Sequence, residues 1–149
     1  MRCVVQRVSE ASVSVGGETV GCIGPGLMAL IGVSADDTEK DLKYIADKVP
    51  NLRIFDDENG VMNRSVLDTG GSILAVSQFT LYGDARGGRR PSYIQAARPE
   101  FARQMYEQLV AVWRQNGIHV ETGRFQTEMK VFLVNDGPVT ILLDSRKAF

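Results

Sequence analysis

Val131-Phe132-Leu133-Val134-Asn135-Asp136-Gly137-Pro138-Val139-Thr140-Ile141-Leu142-Leu143 sets two apolar, β-prone runs on either side of a polar break. Asn-Asp-Gly between two such runs predicts a hairpin turn. Pro138 modifies that reading. It has no N–H to give to a strand ladder, and it biases Gly137 toward extended backbone. The Gly-Pro pair places two closely spaced carbonyls at a turn tip, the first with no Cβ to shield it. Local sequence alone gives a proline-stiffened surface turn closing the last two strands.

Upstream, Ser72-Ile73-Leu74-Ala75-Val76 reads as a buried strand running into Ser77-Gln78-Phe79-Thr80-Leu81. Residues 2–33 read as all β. In Ala11-Ser12-Val13-Ser14-Val15 the period of two marks a half-buried strand, and Gly16-Gly17 marks a two-residue hairpin. Thr19–Ile23 returns, and Leu27–Val33 has the continuous apolar character of a buried strand. Asp36-Asp37-Thr38 then caps a helix, with Leu42, Ile45, Ala46 and Val49 at helical spacing and Pro50 as the stop. Leu52–Phe55 is a predicted short strand, Asp56–Gly60 an acidic solvated turn, and 61–71 a loop. A Gly- and Arg-rich stretch, 82–93, precedes a second helix that Pro99 starts and Asn116-Gly117 ends, with Phe101, Met105, Leu109, Val112 and Trp113 as its apolar stripe. Ile118–Thr122 is a further strand. Many strands with two main helices, grouped rather than strictly alternating, predict an α+β fold. It has a largely antiparallel or mixed sheet, and 1–149 is one domain without repeat or linker.

A chain of 149 residues with 44 % hydrophobic content can bury one real core. The net charge of -1 carries no bulk basic signature, so contact with a nucleic acid has to come from local clusters. Cys3 and Cys22 form no CxxC pair, and no long apolar region follows Met1. These features predict a reducing, cytoplasmic setting. No apolar run approaches the ~20 residues that span a bilayer, so no membrane association is expected.

Ordinary hydrolase machinery is hard to assemble from these residues. His119 is the only histidine and lies far in sequence from Ser77. A Ser-His or Cys-His device needs its base within hydrogen-bond reach of the nucleophile. One histidine and no CxxC give poor support for a zinc-bound water, and neither metal nor cofactor is expected. A catalyst of this composition has to work by positioning and by oriented backbone dipoles.

The ordered set of Ser77-Gln78-Phe79-Thr80-Leu81 and Asn135-Asp136-Gly137-Pro138-Val139-Thr140 resembles the D-aminoacyl-tRNA deacylases. So do the opening Gln6–Val15 segment, Leu52–Val66, the run Arg89–Tyr93, and Thr122–Phe125 ahead of Met129. The resemblance covers essentially the whole chain. It implies hydrolysis of the ester between a D-amino acid, or glycine, and the 3′-terminal adenosine of tRNA. It also implies a homodimer whose active sites are shared across the interface. Ser77, Gln78, Phe79 and Thr80 would line the ester, with backbone amides near Phe79 and Thr80 as an oxyanion hole. Thr80 would position the ester rather than attack it, since a threonine hydroxyl without a base is a poor nucleophile. Gly137 and Pro138, joined by a cis bond and reaching in from the partner subunit, would form a chiral gate supported by Arg7 and Asn135. Phe125 and Met129 would cradle the adenine. Arg86, Arg89 and Arg90 would contact tRNA phosphates. The family commonly reads Phe-Gly-Ala where this chain has Phe125-Gln126-Thr127, a departure that bears on the shape of the adenosine pocket. The alternative function is a non-catalytic module of the same fold that binds tRNA or an aminoacyl-adenosine end.

Overall fold

The computed structural model describes residues 1–149. Its frame is one long strand, β1 (Arg2–Val15). Along one edge β1 pairs antiparallel with β2 (Glu18–Ile23) through its second half and with β3 (Gly26–Gly32) through its first. The β1–β2 connection is the expected two-residue turn, with Gly16 and Gly17 at φ +58° and +81°, backbone that glycine adopts without a Cβ clash. Parallel pairing continues the sheet from β3 to β6 (Ser72–Ser77) and from β6 to β7 (Val120–Thr122). The sheet is therefore mixed, in the order β2-β1-β3-β6-β7. It curls until β2 leans on β7, where a Cβ on Gly21 would stand 2.5 Å from the Thr122 carbonyl oxygen.

The curl creates two cores. Leu27, Ala29 and Ile31 of β3, with Ile73 and Ala75 of β6, face the helices. Met28 of β3, with Leu74 and Val76 of β6, faces inward onto Val8, Ala11 and Val13 of β1. Burial on both faces explains why β3 and β6 read as unbroken apolar runs.

The helical layer is α1 (Glu39–Asn51) and α3 (Pro99–Gln115), with a single-turn helix α2 (Val66–Thr69) between them in sequence. Pro50 does not stop α1; it sits inside the last turn and is buried. A proline there cannot donate to the Ala46 carbonyl. The Trp113 indole N–H takes that place, donating to Ala46 O at 3.1 Å, so the lost bond is remade between the two helices. The Tyr106 hydroxyl donates to the Ala75 carbonyl at 2.7 Å and ties α3 to the sheet. Phe101 and Val112 are only half-buried, and the face of α3 that packs is Ala102, Met105, Tyr106, Leu109, Val110 and Trp113.

The 52–71 region differs from its sequence reading. The strand at Leu52–Phe55 is only Phe55–Asp56 (β4), paired with Met62–Arg64 (β5) inside the expected loop. Amides of Val61 and Asn59 donate to the Asp57 carboxylate between them and hold its pKa below the ordinary range. The helix α2 begins with a capping box in which Ser65 accepts from the Asp68 amide and Asp68 from the Ser65 amide.

Residues 130–144 depart furthest from expectation. They do not form a hairpin. They are one strand, β8 (Lys130–Asp144), antiparallel to β1 along almost its whole length. Ser14 pairs with Lys130 and Arg2 with Asp144. Between the Gln6–Thr140 and Val8–Asn135 pairs, Asp136 to Val139 stand opposite Arg7 alone. The polar break is an outward bulge, and the chain leaves it in its original direction. A hairpin would have required Val139–Leu143 to pair with Val131–Val134. β1 is long enough to pair with both runs, and it takes them as one strand.

Candidate active site

The last residue of β6, Ser77, opens onto a cleft of about 680 Å³. Gln78 leaves the sheet by donating its amide to Ile31 O at 2.7 Å, and Phe79–Tyr82 close a 3₁₀ turn. The first N–H groups of that turn, those of Phe79 and Thr80, have no acceptor within it. The turn is held from below. Arg2 donates to Leu81 O at 3.0 Å and to Asp144 Oδ2 at 3.1 Å, and its guanidinium lies 4.7 Å from the centre of the Tyr82 ring. Gly32 leaves room beneath it: a Cβ there would be 3.0 Å from Leu81 Cβ and 3.1 Å from Gln78 O.

Ser77, Gln78 and Phe79 line one side of the cleft, and Phe125 and Met129 line another. The structure thus brings together the two groups of residues singled out as ester-binding and adenine-binding. Thr80 is not in the lining; the Gln78 side-chain amide donates to its hydroxyl. Sequence reasoning missed Tyr93, Ala97, Ala102 and Val131, which complete the walls. The Tyr93 ring meets Phe79 edge to face at 5.2 Å between centroids. The available signal was the aromatic in the Arg89–Tyr93 run. Two small residues on and just before α3, Ala97 and Ala102, keep the cleft open, a role that carries no chemical mark in the sequence.

Gln126 and Thr127 also line the cleft. Gln126 has φ +57°, in the left-handed region that favours glycine. That geometry fits a position where the resembled pattern has Gly, and here a longer side chain occupies it. The Thr127 hydroxyl donates to Arg124 O at 2.8 Å and closes this turn.

None of Asn135 to Val139 lines the cleft. The Gly137–Pro138 bond is cis. Two side chains brace the bulge. Arg7 donates to Asp136 O and to Ile54 O, each at 2.8 Å. Asn135 accepts from the Val139 amide at 2.9 Å and donates to the Thr140 hydroxyl at 3.1 Å. Gly137 is packed tightly at φ +139°, where a Cβ would stand 2.8 Å from Val139 Cγ2 and 3.0 Å from Arg7 Nη2.

The electrostatics of the cleft are plain: no lining residue is charged. His119 is exposed, 3.6 Å from Glu121, and lies just before β7, where its carbonyl accepts from the Ile73 amide near the far end of β6. Ile73 stands four residues of strand from Ser77, roughly 13 Å at the usual rise. Arg86 lies outside the cleft, bound to Asp84 at 2.9 and 2.6 Å, and those hydrogen bonds hold the Asp84 carboxyl well below its ordinary range. Arg89 and Arg90 are exposed and also outside it. Burial pushes the Cys3 thiol far up, which leaves it unreactive. No group of three or more His, Cys, Asp or Glu side chains is arranged to hold a metal ion. No helix is long and apolar enough to cross a membrane.

With no charged side chain in its lining, the cleft offers hydroxyls, side-chain amides and aromatic faces, with the N–H of Phe79 at its edge unpaired within the turn. That set can hold a flat neutral group and stabilise a carbonyl oxygen that gains charge.

Residues 4–144 match the family model described as D-Tyr-tRNA(Tyr) deacylase. A D-aminoacyl-tRNA deacylase from Symbiobacterium thermophilum is 62 % identical over 149 residues, covering 100 % of this chain and 99 % of that protein. One from Thermosipho africanus is 58 % identical over 149 residues, 100 % of both chains. Among solved structures, one titled c-Myc DNA Unwinding Element Binding Protein superposes with TM-score 0.91 at 41 % identity, covering 97 % of this chain and 98 % of that one. A probable eukaryotic D-amino acid tRNA deacylase superposes with TM-score 0.81 over 96 % of this chain and 98 % of that one; at 18 % identity it speaks for the fold alone.

Proposed function

The chain belongs to the D-Tyr-tRNA(Tyr) deacylase family, and from that premise we propose that it is a hydrolase that cleaves D-aminoacyl-tRNA to free D-amino acid and tRNA. The observation that carries this reading is the meeting of Ser77–Phe79 with Phe125 and Met129 on one uncharged cleft. The terminal adenine lies between Phe125 and Met129, and its ester carbonyl reaches the Phe79 and Thr80 amides. An aminoacyl ester of tRNA is already activated by its α-ammonium and the neighbouring ribose hydroxyl. Oriented N–H groups therefore suffice to stabilise the oxyanion. Thr80 positions the ester, and a water or the ribose hydroxyl at the carbonyl attacks.

Chiral selection comes from Gly137-Pro138 of a second copy. Its carbonyls receive the α-ammonium and fill the space an L side chain needs, so the wrong substrate is rejected by clash. Arg7 and Asn135 hold the gate in shape. Glycine, with no side chain to exclude, is also cleaved. Support for a homodimer comes from β8, a fifteen-residue strand whose second edge pairs with nothing and which exposes Phe132, Val134 and Leu142. A long apolar edge strand is a template for pairing with another chain. Residues 1–149 act as one catalytic unit in the cytoplasm, where aminoacyl-tRNA is found, and Arg86, Arg89 and Arg90 contribute to holding the tRNA.

A second reading is a non-catalytic module of the same fold that binds tRNA or an aminoacyl-adenosine end, favoured by the likeness to the solved structure titled c-Myc DNA Unwinding Element Binding Protein. Deacylation of matched D- and L-tyrosyl-tRNA by the purified protein, with a chelator present, separates the two. Rapid loss of the D ester alone is the expected result. Binding of tRNA with neither ester cleaved supports the module, and equal cleavage of both contradicts the gate.

A further inference from the structure

Charge is unevenly divided across the Phe125 ring. The cleft on one side has no charged lining residue, whereas a second groove of about 540 Å³ on the other holds Arg103, Arg114 and Glu107. Phe125 lines both. The rest of the partition is thin. Gly123 lines the second groove, and a Cβ on it would stand 2.5 Å from the sulfur of Met129, which lines the first.

We propose that this second groove is a subsite for the phosphate and ribose that precede the terminal adenosine of the substrate RNA. The proposal rests on the first cleft holding that adenosine. A nucleoside is neutral, and the phosphodiester that joins it to the rest of the chain carries one negative charge. The uncharged cleft suits the former, and the groove across Phe125, with two arginines against one glutamate, suits the latter. A strand leaving the cleft over Phe125 enters the groove directly.

The two arginines are suited to different parts of this task. Arg103 lies 5.1 Å from the centre of the Phe125 ring, at the crossing point. Its ion pair with Glu107 is long, 3.6 Å, and both side chains are more than half exposed. Such a pair contributes little, so the guanidinium can exchange Glu107 for a phosphate, which its planar fork matches better. Arg114 is fixed: Nε and Nη2 donate to Val120 O at 3.3 and 2.8 Å. It supplies a stationary positive charge. The Arg-rich loop is less well placed for this phosphate, because Arg86 is already neutralised by Asp84 and none of Arg86, Arg89 and Arg90 lines either concavity.

The test compares Arg103→Gln with the unaltered protein on two substrates: D-tyrosyl-tRNA, and the D-tyrosyl ester of adenosine, which has no phosphate. On tRNA, kcat/KM falls by about tenfold, carried by KM, as expected for one lost charge-assisted contact. The slope of log(kcat/KM) against log[salt] becomes shallower by about 0.7–1, one phosphate contact. On the adenosine ester nothing changes. Arg103→Lys, which keeps the charge, keeps the slope. An equal fall on both substrates overturns the proposal, since Arg103 would then act only by holding Phe125; no change on tRNA overturns it too. Failure of the unaltered protein to cleave either ester rejects the adenosine reading itself, before any variant is made.

Discussion

Two polar elements interrupt the strands of this molecule, and they are built differently. The Ser77–Tyr82 turn sits at a strand end, seated on Gly32 and held by Arg2, and it opens onto a cleft walled by α3 and the Phe125–Met129 segment of the same chain. The Asp136–Val139 bulge sits in mid-strand, braced by Arg7 and Asn135, and touches no part of that cleft. One is walled by its own chain; the other has a braced shape and stands apart from the cleft of its own chain. The proposed pairing of a second copy along the exposed apolar edge of β8 would bring the two elements together.

Gly137→Ala strikes the bulge hardest. Its Cβ would press on Val139 and Arg7, so the loop has to move. A displacement of about 1 Å at a positioned group costs on the order of a hundredfold in rate, and kcat/KM for the D ester falls by that much while the circular dichroism spectrum stays that of the parent. A folded variant with parental activity would break the claim that the shape of the bulge matters at all. On the cleft side, Thr80→Ala removes the hydroxyl that Gln78 holds. Loss of one positioning contact lowers kcat by about tenfold in single-turnover assays. A loss of about ten-thousandfold or more would instead make Thr80 a covalent nucleophile.

Arg7→Ala sharpens the comparison from the side of stability. It removes donors to the Asp136 and Ile54 carbonyls from a mostly buried position, and urea denaturation should show a loss of about 1–3 kcal/mol. Selectivity against the L ester drops as the bulge loosens, and unchanged selectivity would separate Arg7 from the gate. The smallest effect belongs to His119→Gln. An exposed side chain at the far end of β6 leaves kcat/KM within about twofold of the parent between pH 6 and 8, since no base is drawn from it.

The two regions also differ in how much of them could be read from residues. Period-two alternation in β1, the glycine pair at 16–17 and the proline at the start of α3 announced their elements, because each reflects a local steric or burial rule. Pro50 misled, because the compensation for its missing N–H comes from Trp113, sixty-three residues away. The bulge misled more deeply. Asn-Asp-Gly is a turn signal in either geometry, and only the length of β1 decides whether the chain reverses or continues. In the cleft, Phe125 and Met129 were legible by resemblance. Ala97 and Ala102 were not, since their contribution is the absence of a larger side chain.

Mixing subunits tests the central claim most directly. Thr80→Ala and Gly137→Ala proteins, each assayed alone and then combined and allowed to exchange, place one damaged element in each copy. Random pairing makes half the dimers mixed, and each mixed dimer has one site with both elements intact. Activity should therefore rise to about a quarter of the parental value, above either variant alone. Confirmed subunit exchange with no rise above the average of the two variants would contradict a site shared between copies and return the Asp136–Val139 bulge to a surface feature.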